Sequence, residues 1–182
     1  DGRVLAGQRE VRVAIVAETN PDFLRFFFAC QYAGLVPVAL PAAVNLGGHD
    51  AYVVRLRGLL LGCGASVAMA SNQFIRFLRE AAEGVDLAFV GTPAAFDELP
   101  EKNVSLRPSR PDETAYLQYT SGSTSFPRGV VIKQEAVLSN LYGVVNHSLD
   151  VRPDDRCVSW LPFYHDMGLV GCMLAPMATQ RS

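Results

Sequence analysis

Hydrophobic runs and short polar breaks alternate along the first part of the chain. Val11–Ala17 consists mostly of Val, Ala and Ile, which predicts a buried strand. Asn20-Pro21-Asp22 is a capping sequence that begins a helix, and this helix is expected to end at Gly34. Val36–Leu40 predicts the second strand. A strand, a helix and a strand within about thirty residues form the unit of a parallel sheet.

The same alternation continues before the chain becomes polar. Two further helices are expected over residues 47–64 and 71–84, and two further strands over residues 66–70 and 87–90. Gly91–Glu113 contains four prolines, which predicts a connecting loop. We therefore predict an α/β fold with a mainly parallel sheet flanked by helices. Residues 1–110 would form a first α/β portion and residues 111–182 a second portion of the same domain.

A loop of small residues lies between the next two predicted strands, Ala115–Tyr119 and Val130-Val131-Ile132, and a helix is expected to follow from about Glu135 to His147. Most residues of Thr120–Gly129 are Ser, Thr or Gly, and Arg128 adds a positive charge. Such residues let backbone N–H groups and hydroxyls converge on a polyphosphate. A solvated turn is the alternative for this composition. The loop lacks the lysine of a Walker loop and the glycine spacing of a dinucleotide-binding turn, which disfavours kinases and NAD enzymes.

Two segments resemble motifs of the adenylate-forming superfamily. Tyr119–Thr124 followed by Pro127-Arg128-Gly129 resembles its phosphate loop, and Ser159–Leu169 is similar to its LPxxHxxG motif. The wording of the second motif, together with Phe27–Val38 and Asn45–Gly48, is most similar to the fatty acyl-AMP ligase branch. The resemblance implies the early part of the large amino-terminal domain of such an enzyme.

The resemblance also implies roles for particular residues. The loop would close over the β- and γ-phosphates of ATP while a fatty acid carboxylate attacks the α-phosphorus, giving acyl-AMP and pyrophosphate. Nucleotide contacts are expected from Thr120, Ser121, Gly122, Ser123, Thr124, Arg128 and Gly129. His165 is expected as a catalytic residue near the substrate carboxylate or the acyl pocket, with a structural hydrogen-bonding role as the alternative. The ligand for Mg²⁺ is expected outside this chain.

The surroundings of His165 carry their own expectations. A strand is predicted before His165 and an apolar helix after it, with Asp166 as the cap of this helix. Trp160 and Phe163 are predicted to fill the core, and an acyl tunnel is the alternative place for both.

Two positions depart from the wording of the family. Ser125 stands where a glycine is expected, and Arg128 stands where a lysine is expected. Serine would cost about 1 kcal/mol if the position needs a positive φ, and arginine changes the reach of the cation. These departures keep open a non-catalytic remnant that binds nucleotide or acyl groups. Within enzymes, the alternative to a ligase that serves an acyl carrier protein or polyketide synthase is an acyl-CoA synthetase, with CoA as the acceptor.

The composition of the chain disfavours several other classes of protein. The chain of 182 residues has a net charge of −2, with 49 % hydrophobic and 19 % charged residues, which is a globular balance. No stretch concentrates Lys and Arg, which disfavours nucleic acid as a partner. The apolar stretches are shorter than the ~20 residues of a membrane span, so we expect a cytoplasmic protein. The four cysteines are far apart, which predicts buried thiols and no metal site. The chain is expected to be a piece of a longer enzyme and inactive alone.

Overall fold

The computed structural model describes residues 10–42, 48–101, 106, 108–120, 127–149, 151–152 and 154–180. The strands are Arg12–Val16 (β1), Val36–Leu40 (β2), Val67–Met69 (β3), Phe89–Gly91 (β4), Thr114–Tyr119 (β5) and Gly129–Lys133 (β6). The α-helices are Pro21–Ala33 (α1), Gly48–Cys63 (α2), Ile75–Ala82 (α3), Pro93–Asp97 (α4), Gln134–Gly143 (α5) and Ala175–Thr179 (α6). Two further segments, Val144–Ser148 and Met167–Leu174, are π-helical.

The strands form one sheet in the order β4-β3-β1-β2-β5-β6. The first five strands are parallel, and β6 pairs antiparallel with β5. The predicted α/β fold with a mainly parallel sheet is therefore confirmed. β5 lies beside β2 in the same sheet, and the proposed division of the domain at residue 110 stays a prediction.

Helices cover both faces of the sheet. On one face, Leu56 and Leu60 of α2 and Leu78 of α3 are fully buried against the strands. On the other face, Phe23 and Phe27 of α1 lie in a second buried cluster together with residues of α5 and the Met167–Leu174 segment. A parallel strand is buried on both sides in this arrangement, which explains why its sequence is a continuous apolar run.

The first helix follows the capping sequence closely. The Asn20 side chain accepts a hydrogen bond from the Phe23 N–H at 3.0 Å, and Pro21 occupies the first turn. Gly34 ends the helix with φ 69°, a left-handed conformation in which glycine has no steric cost. The predicted bounds of α1 and β2 are confirmed.

Part of the predicted connecting loop is helical. Within Gly91–Glu113, the Thr92 hydroxyl accepts a hydrogen bond from the Ala95 N–H at 3.3 Å, and Pro93 begins α4. This is the same cap-and-proline signal that begins α1, but it opens only one turn and a half. The prediction of a connecting loop is wrong at Pro93–Asp97.

The strand predicted before His165 is absent from the structure: residues 154–163 form no strand. Val158 is 91 % exposed and Trp160 is 89 % exposed, because no described strand lies beside this segment to pair with its backbone. The prediction that Trp160 fills the core is therefore wrong. The same prediction for Phe163 is confirmed, since its ring stacks on Phe23 with the centroids 5.5 Å apart.

The cysteine prediction is confirmed in part. All four thiols are free, and Cys30 and Cys63 are buried. Burial raises the pKa of the Cys30 thiol to about 12, so that thiol is neutral at physiological pH. Cys157 is exposed, because it lies in the unpaired segment before His165.

A surface cluster predicts how stability changes in acid. Glu80 on α3 hydrogen-bonds His49 of α2 and accepts from Arg76 Nε at 3.0 Å. The hydrogen bond with His49, followed by that with Arg76, holds the pKa of Glu80 below its ordinary value. The resulting stabilisation is present above the unfolded pKa of about 4.3 and is lost as the pH falls through the lower folded value. We expect Glu80→Gln to remove this acid sensitivity.

Urea unfolding between about pH 5 and pH 3 measures the effect. The free energy of unfolding should fall less steeply in E80Q than in the unmodified protein. Glu83→Gln is the control, because Glu83 is exposed just beyond the same helix and its side chain makes no hydrogen bond or ion pair with the described residues. Parallel slopes for E80Q and the unmodified protein would contradict the prediction.

Candidate active site

A cleft of about 160 Å³ opens beyond the carboxyl ends of β2 and β5. Its walls come from these strand ends, from one side of α2, from the start and end of the β5–β6 connection, and from the turn Tyr164–Asp166. Ligands of open α/β sheets bind outside the carboxyl ends of the strands. The position of the cleft therefore marks it as the candidate site.

The predicted phosphate loop is the connection of a β-hairpin. The Thr120 N–H donates to the Arg128 carbonyl oxygen at 3.0 Å, and Tyr119 pairs with Gly129 across the two strands. Thr120 lines the cleft, whereas the Arg128 side chain is exposed. Ser121, Gly122, Ser123 and Thr124 lie outside the described residues, as does Ser125, so their nucleotide contacts stay predictions. The contacts expected from Thr120 and Arg128 also stay predictions.

Gly129 has a packing role that the sequence did not reveal. A Cβ atom at this position would lie 2.9 Å from Leu117 Cδ2, so a larger residue here would require the Leu117 side chain to shift. Glycine therefore lets β6 approach β5 where the hairpin begins. Its predicted contact with nucleotide stays a prediction beside this structural reason.

Tyr119 fixes the end of β5 to α2. Its hydroxyl donates to the Leu59 carbonyl oxygen at 2.8 Å, and a Cβ on Gly62 would lie 3.1 Å from the same hydroxyl. Burial raises the pKa of Tyr119 above its ordinary value, so the phenol stays a neutral donor at physiological pH. The strand end that carries Thr120 is thus held against the helix.

His165 lies in a turn that also lines the cleft. Its N–H donates to the Pro162 carbonyl oxygen at 3.1 Å. Asp166 caps the following helix by accepting from the Met167 N–H at 2.7 Å, as predicted. The structure therefore brings His165 and Thr120 to one cleft, and the catalytic role of His165 stays a prediction.

The imidazole of His165 is held on one side only. Its Nδ1 lies 2.7 Å from Asp166 Oδ1 and 3.2 Å from the Met167 nitrogen. A proton on Nδ1 would be donated to Asp166, and an unprotonated Nδ1 would accept from the Met167 N–H. No described residue forms a hydrogen bond with Nε2, and the side chain is half exposed.

Two residues of the cleft were not predicted. Arg55 of α2 lines it and makes no hydrogen bond or ion pair with the described residues. The sequence feature that could have indicated Arg55 is its position as a cation at the border of the apolar helix face formed by Tyr52, Leu56 and Leu59. Gln118 also lines the cleft. The sequence feature that could have indicated it is a single amide side chain within the apolar run of β5.

Comparison with known proteins identifies the family. Residues 3–180 match the AMP-binding enzyme family. The chain belongs to that family. The resemblance of its two motifs to the adenylate-forming superfamily is thereby confirmed.

The relatives of this AMP-binding enzyme chain include proteins named as fatty-acid–AMP ligases and a protein named as an acyl-CoA synthetase. It is 41 % identical over 177 residues to the long-chain-fatty-acid–AMP ligase FadD32 of Mycolicibacterium smegmatis, covering 91 % of this chain and 26 % of the relative. It is also 40 % identical over 169 residues to a Caulobacter vibrioides protein that is named as an acyl-CoA synthetase. This match covers 92 % of this chain and 29 % of the relative.

A solved structure from a study of fatty acyl-adenylate ligases of E. coli and L. pneumophila matches with a TM-score of 0.89 and 45 % identity. The match covers 97 % of this chain and 32 % of that one. The AMP-binding enzyme chain thus has the fold of the corresponding part of such ligases, and it spans about a third or less of the length of the relatives it matches.

Neither a metal cluster nor a membrane span is found in the part of the chain that the structure describes. No group of three or more His, Cys, Asp or Glu side chains there could hold a metal ion. In the same residues, no helix combines the length and the apolar character needed to cross a bilayer. The location of the Mg²⁺ ligand and the cytoplasmic localisation stay predictions.

Proposed function

We propose that the protein takes part in the ATP-dependent activation of a fatty acid, giving an acyl-adenylate and pyrophosphate. The family and the names of the relatives support this reaction. The observation that carries the proposal is one cleft lined by Thr120, at the base of the Ser/Thr/Gly hairpin loop, by His165 and by Arg55.

The arrangement suits a reaction in which the protein forms no bond itself but positions the reacting groups and neutralises their charge. The fatty acid carboxylate oxygen attacks the α-phosphorus, the bond to the β-phosphate oxygen breaks, and pyrophosphate leaves with the negative charge. Cations and N–H donors aimed at the phosphates lower the energy of this transition state. Arg55 and Arg128 would supply positive charge, and His165 Nε2 would meet the carboxylate.

The acceptor of the acyl group divides the proposal into two forms. Transfer to an acyl carrier protein or polyketide synthase is the leading form, because the relatives include long-chain-fatty-acid–AMP ligases. Transfer to CoA is the second form, supported by the relative that is named among the acyl-CoA synthetases. Both share the adenylation step, so the site described above serves either.

The polypeptide at its full natural length provides the test of this function. It would be incubated with ATP, Mg²⁺, CoA and fatty acids of different length, and the products identified by mass. Acyl-AMP that persists with CoA present supports the ligase form, and acyl-CoA supports the synthetase form. Formation of neither product would contradict the proposal and favour a remnant that binds without turnover.

Arg55 gives the proposal a mutational test. We expect Arg55→Ala to raise the KM for ATP or the fatty acid about tenfold or more, because a charged contact to an anionic substrate contributes roughly 1.5–3 kcal/mol. Arg57→Ala is the matched control, since Arg57 lies two residues along the same helix but donates to the Glu80 carbonyl oxygen at 2.9 Å. Equal kinetic constants for R55A and R57A would remove Arg55 from the site.

A further inference from the structure

We propose that Gln118 is a positioning residue that holds the turn carrying His165 against the base of the phosphate loop. The inference rests on the proposed function for its place in the reaction, but its structural content can be tested without any activity. Gln118 would act through the backbone of Tyr164 and not by touching the reacting atoms.

Burial sets Gln118 apart from the other polar residues. It is 8 % exposed and is the single buried polar or charged residue within the described ranges. The three residues before it in β5, Ala115, Tyr116 and Leu117, are buried as well. Burying an amide costs free energy unless the amide is hydrogen-bonded. An apolar side chain would avoid that cost, so the presence of glutamine calls for a reason.

The hydrogen bond of the Gln118 side chain supplies that reason. Its Nε2 donates to the Tyr164 carbonyl oxygen at 2.6 Å. Its Oε1 is buried and has no hydrogen-bond partner among the described residues. The reverse orientation of the amide would place Oε1 against the Tyr164 oxygen, and two acceptors cannot bond. The single bond to Tyr164 is therefore the contact that this residue provides.

That bond joins two parts of the cleft that are distant in sequence. Gln118 lies two residues before Thr120, where the hairpin loop begins, and Tyr164 directly precedes His165. The bond spans 46 positions, and within the described part of the chain it is the one hydrogen bond between β5 and this turn. Phe163 holds the turn from its other side by stacking on Phe23. Among these contacts, the Gln118 amide is the one that links the turn directly to the strand that ends at the loop base.

Loss of the bond should move His165 without unfolding the sheet. Gln118→Leu keeps the apolar bulk of the side chain but leaves the Tyr164 carbonyl oxygen without its donor. We expect kcat for adenylate formation to fall on the order of a hundredfold, because a displacement of about 1 Å has this effect on a positioned group. KM for ATP should change less than kcat, since the Thr120–Arg128 link that closes the loop is untouched.

Histidine NMR tests the structural part on this chain. The sequence has three histidines, so the ring signals of His165 can be separated from those of His49 and His147. In Q118L the His165 signals should shift while the other two stay in place. Gln31→Leu is the matched control, because Gln31 donates to the Ala115 carbonyl oxygen at the opposite end of β5. Unmoved His165 signals in Q118L would overturn the proposal.

Gln118→Glu serves as the second variant if Q118L does not fold. An ionised carboxylate cannot donate to Tyr164, but a protonated one can, and burial raises the pKa of a carboxyl. The ratio of the Q118E rate to the unmodified rate should therefore rise as the pH is lowered from about 8 to about 6. Arg55, His165 and Asp166 also line the cleft, and both proteins contain them, so the ratio compares the two side chains at position 118.

The NMR and kinetic experiments distinguish a failure of the proposed function from a failure of the proposed role of Gln118. If the unmodified full-length protein forms no adenylate but His165 moves in Q118L, the proposed function fails and the positioning contact stands. If the unmodified protein is active and Q118L retains its kcat, the role of Gln118 in the reaction is wrong. A pH-independent ratio for Q118E would likewise overturn it, since the donor would then not matter.

Discussion

Gly168→Ala should displace the turn that carries His165 and strongly destabilise the fold around it. A Cβ atom at this position would lie 2.2 Å from the Pro162 carbonyl oxygen and 2.8 Å from its carbonyl carbon. Both neighbours are backbone atoms, so no side-chain rotation can relieve the contact. The helix start or the turn must move, which costs about 3 kcal/mol, at the upper end of the range for overpacked sites.

Urea unfolding of G168A measures this loss, and histidine NMR reports whether His165 moves with it. Gly143→Ala is the control, because a Cβ there meets no atom within 4 Å. Alanine at the end of α5 should be neutral or stabilising by up to about 1 kcal/mol. Equal stability of G168A and G143A would show that the turn is looser than the structure has it.

Much of the fold was predictable because its signals are local. Asn20, Pro21 and Gly34 mark the two ends of α1 by the hydrogen bonds and dihedral angle that each residue type favours. The run Val36–Leu40 is apolar throughout because it is buried on both faces. At these positions the residues that form the sequence pattern also make the interactions that cause the structure, so the local sequence is enough to predict the element.

The errors arise where structure depends on a distant partner. The segment through Val158 and Trp160 has the apolar residues of a strand, but a strand also needs a neighbour to take its backbone hydrogen bonds. Arg55 and Gln118 become cleft residues only when α2 and β5 meet the turn at Tyr164. Nothing in the local sequence states which elements meet. The motif residues Thr120 and His165 could be placed from sequence only through the resemblance to a family.

Phe23→Ala should produce the second large effect, because one ring supports both the core and the turn at the cleft. Phe23 is 1 % exposed, and its ring lies 5.7 Å from that of Phe27 and 5.5 Å from that of Phe163. Truncation of a buried phenylalanine costs about 3–5 kcal/mol through lost burial and the cavity that remains. The cavity would open directly beneath Phe163, two residues before His165.

Chemical unfolding of F23A therefore has to be read together with the His165 ring signals. Phe26→Ala is the matched control, since Phe26 lies on the same helix, is half-buried, and packs on Phe96 of α4 with the centroids 5.3 Å apart. Its truncation should cost less, about 1.5–3 kcal/mol for the burial alone, and should leave the His165 signals in place. If F23A and F26A lose the same stability and neither moves His165, the stacking of Phe163 on Phe23 does not hold the turn. A larger loss in F23A with shifted His165 signals would show that the hydrophobic core beneath α1 sets the position of the candidate catalytic residue.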